Sequence, residues 1–324
     1  LHYPLRRQRQ MCIRDSNRSA PYFKTDWNLY LFRSHNMISH LGVYRRDLVH
    51  RVGGFREGME GSQDYDLALR CVEQVRPDQI VHIPHVLYHW RVHPGSTAMS
   101  LGEKPYAQIA GQNALDQHLQ RTGIKGHAEL LDFGMYRVHY DLPADQPLVS
   151  LIIPSRNAVG LVRQCIESIT SKTSYQHYEI ILVDNGSDDP ESLQYFESLK
   201  LQQNIRVLRD DGPFNYSALN NRAVREARGE LVGLINNDIE VISPDWLSEM
   251  VSLALQPGAG AVGARLWYPD NRLQHGGVIM GPLTLAGHAH KMLPRGHHGY
   301  FGRASLIQGL SLIHISEPTR QAEI

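Results

Sequence analysis

The feature that most constrains the fold is an alternation of short apolar runs with helical patterns, which begins near Leu148. The run LVSLIIP (148–154) predicts a buried strand, and LVRQCIESITS (161–171) predicts an amphipathic helix. Further strands are predicted at YEIILVD (178–184), IRVLRD (205–210) and ELVGLIN (230–236), each followed by a helical pattern. Strands that alternate with helices at this spacing predict an α/β fold with a doubly wound, mostly parallel sheet.

Capping residues and apolar spacing give the expected limits and faces of these helices. Ser217 is expected to cap the third helix, which Gly229 closes, and Ser243 to cap the fourth, with Pro244 in its first turn. The buried face of the first helix is expected to carry Leu161, Cys165, Ile166 and Ile169.

A literal G-x-G-x-x-G pattern occurs at Gly258, Gly260 and Gly263. In dinucleotide-binding proteins this pattern follows a strand and opens a helix, whose N-terminus faces the pyrophosphate. Here a predicted helix precedes the glycines and a strand-like run follows them, so the context predicts a helix end and a tight turn. A nicotinamide or flavin site is therefore not expected.

Composition excludes several classes of protein. The chain has 324 residues, room for about two domains, and 33 basic residues balance 33 acidic ones, so no global field favours nucleic acid. Three widely spaced cysteines argue for a reducing compartment and against a disulfide framework or a structural zinc site. The longest apolar runs are too short to span a bilayer. These observations predict a cytoplasmic protein.

Polar turns follow three of the predicted strands. They are PSRN (154–157), DNGSDD (184–189) and NNDIE (236–240), and parallel strands bring such turns to one edge of the sheet. Solvated helix capping would explain one such turn alone, but three at successive strand ends predict a ligand site. Asp184 or Asn185 could meet a base edge, and Asp238, with Asn236 or Glu240, could hold a divalent cation.

These motifs, together with ALNNRAVREARGE (218–230), resemble the family-2 inverting glycosyltransferases of the GT-A fold over about 148–309. The stretches GPFNYSALNNRA and LQHGGVI are most similar to the enzymes of bacterial O-antigen and cell-surface polysaccharides, which include rhamnosyltransferase-like members. The resemblance implies a UDP- or dTDP-linked sugar donor and a Mg²⁺ or Mn²⁺ ion. Asn236-Asn237-Asp238 replaces the family's D-x-D, which leaves Asp238 as the chief metal ligand.

The first half resembles the other end of the same family. In GVYRRDLVHRVGGFREGMEGSQDYDLALRC (42–71), Gln63-Asp64 stands where relatives have Glu-Asp, so the resemblance makes Asp64 the catalytic base. A carboxylate that merely stabilises a helix N-terminus is the alternative reading. The stretch VLYHWRVHPGSTA (86–98) resembles the segment that closes over the donor diphosphate. The residues thus assigned to donor binding are Pro154, Arg156, Asp184, Asn185, Asn215, Asn236, Arg91 and His93.

The acceptor part precedes the donor part, which is the reverse of their order within one GT-A domain. This order predicts a tandem enzyme. Residues 19–100 would be the acceptor and base part of a first domain, 101–147 a helical linker and connecting strand, and 148–309 the donor-binding part of a second domain. In the linker helix, Ile109, Leu115 and Leu119 are expected to face inward. A circular permutant, in which both halves form one domain, is the alternative. The terminal segments MCIRDS (11–16) and SLIHISEPTRQAEI (311–324) resemble translated sequencing-adapter sequence, so 1–18 and 310–324 are expected to be non-native tails.

Two functional classes remain open. The first is a glycosyltransferase that extends a bacterial cell-surface glycan by inverting single displacement. The second is a nucleotide-sugar-binding fragment without turnover. The expected partners are the donor and a glycan or lipid-linked acceptor, and a lipid-linked acceptor would bring peripheral association with the inner membrane.

Overall fold

The computed structural model describes residues 9–14, 17–85, 87–91, 105–132, 134–279 and 287–307. The chain divides into two compact units. The first unit contains the residues up to Tyr140 and those from Ala264 onward, and the second unit contains Asp141–Gly263. The predicted donor-binding part, 148–309, thus extends beyond the second unit at its C-terminal end. No described helix is long and apolar enough to cross a membrane.

The first unit begins with strands and short helices. Its elements up to Tyr140 are β1 (Arg9–Arg14), β2 (Asn17–Phe23), α1 (Leu29–Phe32), α2 (Arg46–Arg51), α3 (Gln63–Val72), β3 (Tyr88–Arg91), α4 (Pro105–Arg121), β4 (Gly126–Leu130) and β5 (Tyr136–Tyr140). β1 pairs antiparallel with β2 and parallel with β3. Residues 11–14, in the segment expected to be a non-native tail, are part of β1.

A mixed core holds α3 and α4 together in the first unit. Ala68 and Leu69 of α3 pack with Ala114 and Leu115 of α4. Gly111 of α4 lets Tyr136 of β5 approach the helix, because a Cβ at 111 would lie 2.1 Å from the Tyr136 hydroxyl. The predicted linker helix thus belongs to the core of this unit. Leu115 and Leu119 are buried as expected, but Ile109 is 55% exposed, so its predicted inward position is wrong.

The second unit is the predicted α/β fold. Its elements are β6 (Val149–Ser155), α5 (Val159–Lys172), β7 (Tyr178–Asp184), α6 (Pro190–Leu199), β8 (Ile205–Arg209), α7 (Tyr216–Glu226), β9 (Leu231–Leu234) and α8 (Trp246–Ala254). The four strands are all parallel, in the order β8-β7-β6-β9. Helices α5, α6 and α8 share one core with the sheet, and α7 packs on Ile152, Ile181 and Val183 from the other side. This confirms the doubly wound parallel sheet.

Four details of the helix predictions are wrong. α7 ends at Glu226 with Ala227 as its C-cap, so Gly229 does not close it. The side chain of Asn215 caps α7 by accepting from the Ala218 N–H at 2.9 Å, so Ser217 is not the cap. α8 begins at Trp246, after Ser243 and Pro244, because the chain first makes a turn in which Trp246 N–H donates to the Ser243 carbonyl. Val162 takes the buried position in α5, and Leu161 is 48% exposed.

The chain then returns to the first unit. α8 leads into the glycine run, and β10 (Leu266–Trp267) follows it, so the glycines have the predicted helix before them and strand after them. β10 pairs with β11 (Leu273–His275), and β12 (Val278–Ile279) pairs with β13 (Gly287–His288).

Candidate functional site

The turns after β6, β7 and β9 are joined at one edge of the second unit's sheet. Ser155, the last residue of β6, connects the three turns through hydrogen bonds. Its carbonyl accepts from the Asn185 N–H at 2.8 Å, and its hydroxyl lies 2.9 Å from Asn237 Nδ2 and accepts from it. The three polar turns that the sequence singled out are therefore brought together, as parallel strands require.

Asn157 ties the β6 turn to the β7 turn. Its Oδ1 accepts from the N–H groups of Asp188 and Asp189 at 3.1 and 3.2 Å, and its Nδ2 donates to Asp188 Oδ1 at 2.9 Å. Its own N–H donates to the Ser187 hydroxyl at 2.7 Å. The Asn157 hydrogen bond, together with Arg156, lowers the pKa of the Asp188 carboxyl. Asn157 has a φ of 53°, a left-handed conformation that asparagine tolerates better than most residues.

Asp184 closes β7 as a buried carboxylate with both oxygens engaged. Oδ1 accepts from the Ser187 N–H at 3.0 Å, and Oδ2 accepts from Arg209 Nη1 at 2.6 Å. Arg209 also donates to the Ser187 carbonyl at 2.8 Å. In this structure Asp184 orders the β7 turn, and its contact with a nucleotide base stays a prediction.

Asn185 lies beside Asp184 and is equally buried. Its Nδ2 donates to the carbonyls of Asp210 and Gly212 at 3.1 and 2.9 Å. With both amide hydrogens committed to backbone, Oδ1 is the atom that can accept from a base N–H. The predicted base contact therefore depends on an amide whose orientation the fold sets.

Three further residues assigned to donor binding lie in the second unit. Pro154 lies within β6, and Arg156 follows the strand with its side chain 59% exposed and 3.6 Å from Asp188. Asn215 stands at the start of α7, where its side chain serves as the helix cap. Arg91 ends β3, but its side chain and the whole of His93 lie outside the described residues.

The turn after β9 presents Asn236 and Asp238 to solvent, whereas Asn237 between them is partly buried against Ser155. Glu240 accepts from Lys172 at 2.6 Å and from Gln164 at 3.0 Å, which holds it on α5. The two outward residues supply one carboxylate and one amide oxygen. That donor set fits Mg²⁺ or Mn²⁺, which bind through few protein oxygens plus phosphate and water. No group of three or more His, Cys, Asp or Glu side chains gathers among the described residues.

In the first unit, α3 carries two acidic residues with different surroundings. Asp66 is fully buried between Arg56 and Arg70. Burial would raise the pKa of Asp66, but the hydrogen bonds and charges of the two arginines outweigh it and leave the pKa lowered. Asp64, two residues earlier, is only partly buried and accepts from Asn36 Nδ2 at 2.9 Å. Of the two, Asp64 is the carboxylate that an acceptor could reach.

Sequence reasoning missed Ser155, Asn157 and Arg209, which assemble the strand-end site. The first two lie in the PSRN turn, where short polar residues directly after a buried strand were the available signal. Arg209 closes a strand and gives no such signal, because its partner Asp184 is 25 residues away.

Residues 150–306 match the family model described as glycosyl transferase family 2. Over this segment, 157 of the 324 residues, the chain is similar to that family. With the parallel α/β sheet, the match confirms the predicted Rossmann-like GT-A fold.

Two relatives match most of the chain. One is the uncharacterized protein y4gI of Sinorhizobium fredii, 50% identical over 305 residues, which are 93% of this chain and 33% of the relative. The other is the O-antigen biosynthesis protein RfbC of Myxococcus xanthus, 40% identical over 280 residues, which are 86% of this chain and 22% of the relative. The chain thus spans a third or less of these two proteins.

Among solved structures, a mannosyltransferase of Pyrobaculum calidifontis in complex with GDP-mannose and Mn²⁺ is 22% identical. The likeness covers 40% of this chain and 38% of that one, with a TM-score of 0.34. The match to the family model, and not this overlap, supports the fold.

Proposed function

We propose that this chain is part of a glycosyltransferase that moves a sugar from a nucleoside diphosphate to a growing bacterial cell-surface glycan. The observation that carries the proposal is the joined edge of three strand-end turns in a family-2 domain. The match to a relative named for O-antigen biosynthesis supports the glycan acceptor.

The second unit would bind the donor. Asn185 would accept from the base, Arg156 would approach the diphosphate, and Asn236 and Asp238 would hold the divalent cation. When bound, such an ion would stabilise the negative charge that develops on the leaving diphosphate.

Asp64 would act as the base in an inverting single displacement. A carboxylate beside the acceptor hydroxyl removes its proton as that oxygen attacks the anomeric carbon, and the bond to the diphosphate breaks. Such a base contributes about 10²–10⁴-fold to the rate. The base must lie within hydrogen-bond reach of the hydroxyl, so it acts only where donor and acceptor sites are complete.

We propose further that Asp64 and Asp238 belong to different domains of a tandem enzyme. This chain then binds the donor but transfers no sugar, while the full-length protein does. Binding without turnover is the alternative function, and the loss of a carboxylate at Asn236 favours neither of the two. Sugar transfer by the 324-residue chain would support the permutant instead.

Titration calorimetry of the chain with UDP and dTDP, with and without Mn²⁺, tests donor binding. Metal-dependent binding is expected, and Asp238→Ala should abolish the metal dependence. Asp245→Ala is the matched control, since Asp245 is also exposed, lies seven residues later and makes no side-chain cap bond. Metal-independent binding that Asp238→Ala leaves unchanged would contradict the proposal.

The finer assignments stay predictions. They are UDP or dTDP as the nucleotide, a hexose or rhamnose as the sugar, a lipid-linked acceptor and a cytoplasmic location.

A further inference from the structure

We propose that Asn36 is a positioning residue that holds the Asp64 carboxylate with one oxygen occupied and the other directed to the acceptor. The proposal rests on the proposed function, in which Asp64 is the base. Asn36 Nδ2 donates to Asp64 Oδ2 at 2.9 Å, although the two residues are 28 positions apart in sequence. Because Oδ2 is committed to Asn36, Oδ1 is the oxygen that receives the acceptor's proton.

The orientation of the Asn36 amide is set by its own loop. Its Oδ1 accepts from the Ser39 N–H at 3.1 Å. An amide turned by 180° would place Nδ2 against that N–H and Oδ1 against the carboxylate, so both contacts would become repulsive. Asn36 can therefore act toward Asp64 only as a donor.

The loop that carries Asn36 is anchored at both ends. Before it, the Ser34 carbonyl accepts from the Tyr136 N–H at 2.8 Å. After it, the buried Lys24 ammonium donates to the carbonyls of Ile38 and His40. Burial lowers the pKa of Lys24 to about 8, which leaves it mostly protonated at neutral pH. A loop tied at these points can hold a side chain in one place.

The helix that carries Asp64 is anchored as well. Tyr65 donates its hydroxyl hydrogen to the Phe32 carbonyl, at the end of α1. Arg70 binds Asp66 and also donates to the carbonyls of Val52 and Gly54 at 2.5 and 2.6 Å. With both backbones fixed, the hydrogen bond from Asn36 restrains the remaining freedom of the Asp64 side chain. Restraint of this kind is what a base needs, since a displacement of about 1 Å can cost about 10²-fold in rate.

Asn36→Asp removes the hydrogen bond to Asp64 but retains the one within the loop. The new carboxylate still accepts from the Ser39 N–H, whereas an oxygen replaces the N–H group that donated to Asp64. In urea denaturation of this chain at pH 7, we expect the unfolding midpoint to fall. The double variant Asn36→Asp with Asp64→Asn exchanges donor and acceptor and should restore the midpoint.

Sugar transfer by the full-length protein gives the second readout. Asn36→Ala should lower kcat by about 10²-fold with little change in the KM for the donor. The exchanged double variant should stay inactive although it is stable, because it has no carboxylate at position 64. Asn28→Ala is the matched control: Asn28 caps α1 in the same segment, so its loss should lower stability without lowering kcat.

Each outcome decides between the two proposals. If Asn36→Asp leaves the midpoint unchanged, or if the double variant does not restore it, the positioning role is wrong. An equal loss of kcat in Asn28→Ala would likewise reduce Asn36 to a general support of the fold. If Asp64→Asn retains transfer, the base assignment falls, whatever the stability measurements show.

Discussion

The carboxyl edge of the second unit's sheet, where we propose that the donor binds (the donor edge), and the start of α3 in the first unit hold their side chains in different ways. At the donor edge, Ser155 and Asn157 bind three turns together through backbone and side-chain groups, and the candidate contacts are spread over several residues. At α3, one partly buried carboxylate is held by one side-chain amide. Binding a nucleotide sums many weak contacts, whereas removing a proton depends on the position of one atom. The first arrangement should weaken gradually under mutation, and the second should fail at a single residue.

The largest expected effect is on kcat, and it tests the proposed role of the Asp64 carboxylate. Asp64→Asn in the full-length protein should lower kcat by about 10²–10⁴-fold, because the amide cannot accept the acceptor's proton. Donor affinity, measured by calorimetry, should not change. Asp47→Asn on α2 removes an exposed carboxylate of the same unit and should leave kcat unaltered. A comparable loss of donor affinity in Asp64→Asn would break the proposed separation of roles.

The next effect tests the shared edge. Asn157→Ala removes the three side-chain hydrogen bonds to the β7 turn and places alanine at a φ of 53°. We expect a loss of about 1–3 kcal/mol in the free energy of unfolding, with weaker but measurable UDP binding. Asn157→Gly removes the same bonds without the conformational cost. A glycine variant as stable as the natural chain would show that the contacts contribute nothing.

A smaller effect is expected in the pH dependence of stability, and it arises in the first unit from the buried ring of His35. Burial, aided by the charge of Arg303, lowers the pKa of His35 from 6.5 to about 4, and the ring shares a 2.8 Å hydrogen bond with the Tyr22 hydroxyl. Because the folded state disfavours the charged ring, His35 should cost stability as the pH falls below 6.5. Between pH 7.5 and pH 5 the cost should be about 1–2 kcal/mol. Urea denaturation should show this loss, and it should be smaller in His35→Gln; equal losses would exclude His35 as the cause.

The smallest expected effect lies in the glycine run. A Cβ at Gly260 would meet no atom within 4 Å, so Gly260→Val should fold normally. UDP binding should be unchanged and NADH should not bind to either form. Tight NADH binding that Gly260→Val abolishes would contradict the prediction that the glycine run binds no dinucleotide.

Most of the second unit could be predicted from sequence, because each strand and helix there has a local signature. The apolar runs that become β6 and β7 are long enough to be recognised alone, and three polar turns mark the ends of β6, β7 and β9. Helix ends were harder: Asn215 and Ser217 are both good caps, and only the backbone conformation at 215 selects between them. The prediction of buried faces was wrong where two adjacent apolar residues competed for one buried position, as Leu161 and Val162 do in α5.

The candidate site divides in the same way. Asp64, Asp184, Asn185, Asn236 and Asp238 could be named because a turn or a family motif contains them. Their states could not, since these depend on partners far along the chain. Arg209 donates to the Asp184 carboxylate, and Asn36 donates to that of Asp64. Lys172 on α5 donates to the Glu240 carboxylate.

The sequence by itself determined the parallel α/β sheet, the polar character of its carboxyl edge and the absence of a strand before the glycine run. Each of these follows from local periodicity, which the chain carries within about ten residues. Tertiary structure alone decided which carboxylates are committed and which are exposed. Asp64 and Asp66 lie on one turn of one helix, yet Asp66 is buried between two arginines while Asp64 faces a single amide. Spacing cannot separate them, because Arg56, which binds Asp66, and Asn36, which donates to Asp64, come from segments that only folding brings to α3.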